Sequence, residues 1–201
     1  AHFQSSLPLL REQLLSALLA GDIGPAQVLS AAARYGMDLR GQAYHLALIR
    51  LPREEASAGS VAIDNPELLS FAVSNIMAEV LEKRLRHHLF HVNGLLAALF
   101  ITGQATPGDE LVQALEEARM TVEHYLDCSV WIGLSAPCAT LGALPASLRQ
   151  AFAALSQSAL LEEPRVVCIT DTAPGSRDAL TVSEYDLRLL GNSLKLGEDE
   201  G

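Results

Sequence analysis

Basic residues are scarce in this chain. Lysine and arginine together number 14 against 24 aspartates and glutamates, a formal net charge of −10. A surface that neutralises phosphates needs the opposite balance, so direct nucleic-acid binding by this segment is not expected. Long apolar runs are missing as well. Nothing approaches the roughly 18 apolar residues of a membrane span, and no charged-then-apolar leader opens the chain. Cysteine is limited to Cys128, Cys138 and Cys168, an odd number without a C-x-x-C pair. That usage predicts reduced thiols, a cytoplasmic setting and small core side chains rather than a disulfide framework. No Gly-rich phosphate loop of either common type occurs. Ser135, within Gly133-Leu134-Ser135-Ala136-Pro137, lacks the second glycine of a nucleophile elbow. Internal repeats and low-complexity segments are absent too.

What remains is an ordinary globular composition, 49% hydrophobic and 19% charged over 201 residues, long enough for one sizeable core. The organising stretch is Arg86–Gly103, RHHLFHVNGLLAALFITG. Asn93-Gly94 between apolar runs is a strong hairpin signal, because both residues tolerate the positive φ of a type I′ turn. Leu95–Ile101 is unbroken apolar sequence and predicts a strand buried on both faces in the middle of a sheet.

Ahead of the hairpin, Leu7, Leu10, Leu14 and Leu18 form a stripe at helical spacing, widened by Leu15 and Leu19. Two readings stay open for this helix: packing on the domain's own core, or pairing with a second copy to carry a signal. Gly21 and Gly24 end it, and a second helix over Ala26–Tyr35 stops at Gly36. Gln42–Leu51 reads as a strand closed by Pro52, and Arg53–Ser60 as a loop. Asn65-Pro66 starts a helix to about Leu85, with Leu69, Val73, Ile76, Met77 and Val80 on its inner face. Beyond the hairpin come a helix from Thr106-Pro107 to Leu126, a strand over Ser129–Ser135, a helix over Leu144–Leu161, a strand over Arg165–Thr170 and a helix starting at Ser183. The β-α-β-β-α-β core predicts an α+β, ferredoxin-like fold: an antiparallel sheet, helices on one face and the hairpin strands at its centre.

Candidate chemistry is thin. His87 and His91 share one strand face and His88 takes the other, which argues against a zinc site. His45 and His124 stand alone. Asn75 and Glu79 lie four apart on one helix face, which reads as a solvated face or a helix-surface hydrogen bond or, with Leu10, Leu14 and Leu18, as a candidate interdomain contact.

The order β–α–hairpin–α–β, with Trp131-Ile132-Gly133-Leu134-Ser135 before the Ala/Leu-rich Pro145–Leu155, resembles the GGDEF domains that make cyclic di-GMP. LLSFAVSNIMAE (Leu68–Glu79) and the leading LPLLREQLLSALLAG are similar to degenerate GGDEF-like modules of AraC-type bacterial transcription factors and response regulators. In active cyclases, the resemblance implies, carboxylates at the end of the first strand and in the Gly-Gly-Asp-Glu turn hold divalent cations. Here Asn93-Gly94-Leu95-Leu96 occupies that turn and Arg50 the strand end. The resemblance therefore implies no enzyme, no cofactor and no metal, and a regulatory module between an upstream receiver or sensor and a downstream helix-turn-helix pair, with a homodimer as one option. A small-molecule or nucleotide sensor without turnover is the alternative. The expected organisation is a helical signalling segment over 1–40, a degenerate GGDEF-like domain over 41–175 and a linker helix with tail over 176–201. Because the chain opens Ala-His-Phe without Met, it is expected to be a piece of a longer protein.

Overall fold

The computed structural model describes residues 2–51, 65–103, 108–158 and 164–169. Within them the order is α1 (His2–Ala20), α2 (Pro25–Arg34), β1 (Ala43–Arg50), α3 (Pro66–Glu82), β2 (His87–Val92), β3 (Leu95–Thr102), α4 (Gly108–Leu126), β4 (Trp131–Leu134), a 3-10 turn (Leu141–Ala143), α5 (Leu144–Ser158) and β5 (Val166–Cys168). The expected loop Arg53–Ser60, the start at Thr106-Pro107, the end of the Leu144–Leu161 helix and everything from Thr170, including the helix at Ser183, lie outside the described residues.

The five strands form one sheet in the order β2-β3-β1-β4-β5. Neighbours are antiparallel through the first four, with Leu46 opposite Leu99 and Leu48 opposite Gly133. β5 pairs parallel to β4, so the sheet is mixed, within an α+β fold. The expected all-antiparallel sheet is corrected by that strand, whose three residues are too few for sequence pattern to fix direction. The hairpin is also less central than expected: β3 is an inner strand and β2 an edge.

Helices cover both faces rather than one. Tyr44, Leu46, Leu48, Phe90, Ala97, Leu99 and Ile101 pack under α1, α2 and α5. Ala47, Ile49, Leu96, Ala98 and Phe100 pack under α3 and α4. The reason lies in the strands themselves: six consecutive residues of β1 and seven of β3 are buried, and a single helical layer would leave half of them wet. Helix α1 belongs to this packing, with Leu14, Leu15, Leu18 and Leu19 buried. It starts ahead of the leucine stripe and holds Pro8 inside it, because apolar spacing marks a buried face and not where backbone bonding begins. Asn65 caps α3 by accepting from the Glu67 and Leu68 amides, and Gly36 follows α2 at φ +67°.

Each sheet edge meets a helix carboxylate. On β2, the His91 amide donates to Glu12 Oε1 at 2.9 Å, while Ser16 Oγ donates to the His91 carbonyl at 3.4 Å. On β5, the Val166 amide donates to Glu116 Oε1 at 2.7 Å.

Candidate functional site at the hairpin end of the sheet

The β2–β3 turn forms as its sequence dictates. Asn93 and Gly94 adopt φ of +50° and +75°, and Val92 pairs with Leu95 across a two-residue loop. The β1–β3 register, Ile49 opposite Leu96, brings the end of β1 beside the start of β3. Arg50 also pairs with Trp131 at the start of β4. One end of the sheet thus gathers Arg50, Asn93, Gly94, Leu95, Leu96 and Trp131.

Strand alternation decides what the two leucines do. Leu95 is half-buried against the α1/α2/α5 layer, and Leu96, 3% exposed, sits in the α3/α4 core. Leu96 is core scaffold, and Leu95 packs on its layer with part of its surface exposed. Asn93 and Gly94 are exposed.

The remaining sequence candidates are scattered. Asn75 and Glu79 are exposed on α3, away from the leucines of α1. Leu14 and Leu18 are buried in the chain's own core and Leu10 is half-buried, so the α1 stripe faces this sheet. Ser135 is structural: its hydroxyl accepts from the Leu46 amide at 2.9 Å and donates to the Ala136 carbonyl at 3.0 Å. His45 is buried and bonds the Ser135 backbone; desolvation outweighs that bond and holds its pKa below the usual histidine value. His88 is lowered too, first by burial, partly offset by a bond to the Asp38 backbone, with His87, Arg11 and Arg86 adding repulsion. Burial, with Glu123 and Asp127 nearby, pushes the Cys128 thiol up, away from reactivity. Among the described residues no group of three or more His, Cys, Asp or Glu is placed to hold a metal ion.

His91 plays a part that sequence reasoning missed. Its Nε2 lies 2.9 Å from Ser70 Oγ on α3, and its Nδ1 lies 3.5 Å from Glu12 Oε1 on α1. The ring ties both helical layers to the edge strand. No local pattern could reveal this, since its partners are 21 and 79 residues away in sequence.

A family model for the GGDEF-like domain matches residues 20–156, more than half of the chain. This chain belongs to the GGDEF-like domain family. No curated protein matches it. In this GGDEF-like domain the match opens on the last residue of α1 and ends inside α5, so the helix with four buried leucines lies almost wholly ahead of it. No helix among the described residues is long and apolar enough to cross a membrane.

Proposed function

We propose that this GGDEF-like domain is a non-catalytic, signal-coupling module of a cytoplasmic AraC-type bacterial regulator, working between an upstream receiver or sensor and a downstream helix-turn-helix pair. The observation that carries this reading is the hairpin end of the sheet. Where cyclases resembling this domain place carboxylates, Leu96 points into the core and Leu95 against the opposite layer, with the cationic Arg50 at the neighbouring strand end. Leucine supplies no oxygen to a hard divalent cation, and a guanidinium repels one. Coupling would run through the packing of α1, which enters the core directly, and through the linker helix expected after β5.

Incubation with GTP and Mg²⁺ or Mn²⁺ tests the first part: no cyclic product is expected, and metal-dependent turnover would refute it. The flanking reading frames test the architecture, and sedimentation at high concentration tests the homodimer. A second reading, a small-molecule or nucleotide sensor without turnover, is favoured by Trp131. Its indole N–H is buried without a hydrogen-bond partner among the described residues, beside Arg50. Calorimetry with guanine nucleotides and common metabolites separates the two: binding supports the sensor, and silence leaves the coupling role alone.

A further inference from the structure

We infer that the outer face of α3 and α4 is a docking surface for a basic amphipathic helix presented by a partner protein. The two helical layers differ sharply in charge. Helices α3 and α4 carry eight carboxylates and one arginine, whereas α1, α2 and α5 carry one carboxylate and three arginines. Arg119, the one arginine within these two helices, is held by Glu116 at 2.6 Å and Glu123 at 2.7 Å, and Arg84, just past α3 and its C-cap Lys83, is held by Glu117 at 2.9 Å. Glu79, Glu82, Asp109 and Glu110 remain exposed.

Large apolar side chains are exposed on the same layer. Phe71 is 63% exposed, Met120 60% and Tyr125 72%, with Leu68 beside them in the first turns of α3. Chain direction collects these residues at one end. α3 runs back from the hairpin end of β1, and α4 returns towards it from the far end of β3, so the two helices are antiparallel. The start of α3 and the last two turns of α4 therefore share the hairpin end, and the exposed carboxylates of Glu79, Glu82, Asp109 and Glu110 lie towards the other. Exposed aromatic and methionine anchors at one end, with Glu67 exposed among them, and four exposed acids towards the other fit a helix that carries apolar anchors and Lys or Arg along the same face.

The occupant is a helix because helix carboxylates take the His91 and Val166 amides at the two sheet edges, which opposes strand addition there, while a third helix can pack along two antiparallel ones. A second copy docked symmetrically is disfavoured, since it would bring the same acidic layer. Nucleic acid and anionic membranes are repelled by it.

The test uses a helical peptide of leucine and lysine alone, about four turns long, with fluorescence anisotropy on the full chain. Binding is expected to weaken on raising salt and to fall about tenfold in the Phe71→Ser/Tyr125→Ser double variant. The Leu9→Ser variant, which alters the exposed leucine of α1, should bind as wild type, and a leucine–glutamate helix should not bind. Amide shifts on the wild-type chain should concentrate on α3 and α4. Unchanged affinity in the double variant, equal loss in Leu9→Ser, binding of the acidic helix, or shifts spread over both layers would each overturn the proposal.

Discussion

Gly133→Ala should destabilise this domain more than any other glycine-to-alanine change among the described residues. Gly133 lies in β4 beneath α5, and an added Cβ would collide with the Ala151 carbonyl oxygen and the Leu155 nitrogen and stand 2.8 Å from Leu155 Cα. All three obstacles are main chain, so no rotamer relieves them. An ordinary carbon contact is about 3.5 Å, so α5 must move outward by about an ångström and loosen Leu144, Ala151 and Leu155 from the core. Overpacking of this kind costs about 3 kcal/mol, which for a domain of this size lowers Tm by about 10 °C. Gly94→Ala is the control. There the Cβ meets nothing within 4 Å, but φ is +75°, so only left-handed strain of about 1 kcal/mol is at stake. Urea unfolding followed by circular dichroism compares them. If Gly133→Ala is as mild as Gly94→Ala, α5 does not pack on β4 at backbone distance.

Further outcomes follow from the same packing. Leu96→Ala should cost about 3 kcal/mol as a cavity in the α3/α4 core, and Leu96→Asp should unfold the domain rather than create a metal ligand; a folded Leu96→Asp protein by circular dichroism would contradict this. His45 and His88 are held below the ordinary histidine pKa when folded. The unfolded chain therefore binds more protons once pH drops below about 6.5, so stability is full above that value and declines as pH falls. His45→Gln should flatten the dependence of the urea midpoint on pH. Glu12→Ala removes the acceptor of the His91 amide and should cost about 1 kcal/mol given its partial exposure; measured cost near zero would show that water replaces it.

Much of this fold could be read from sequence where signals are local. Asn93-Gly94 announced the turn, Asn65-Pro66 the start of α3, and the unbroken Leu95–Ile101 run a strand covered on both sides. That last observation already required two helical layers, but the ferredoxin-like pattern was read with one. Nothing local marks which helix covers which face, because periodicity shows that a side is apolar and not what lies against it. The parallel β5 and the edge position of β2 depend on long-range pairing. At the candidate site, the family resemblance already set Arg50 and Leu96 in one place, and the Ile49–Leu96 register brings the two strand ends together. The leucines of α1 were legible as a buried stripe, but whether the sheet or another copy buried them was not.

The carboxylate of Glu12 links two properties that would otherwise vary separately, the axial position of α1 and the availability of an open strand. One helical turn of travel is about 5.4 Å, enough to carry Glu12 off the His91 amide, to separate Ser16 from its carbonyl and to drag Leu15 and Leu18 out of the core. A small piston stroke along α1 would therefore be opposed by the core, and a large one would bare the His91 amide and carbonyl on the β2 edge. The position of α1 and the cover over that part of the edge strand are thus linked.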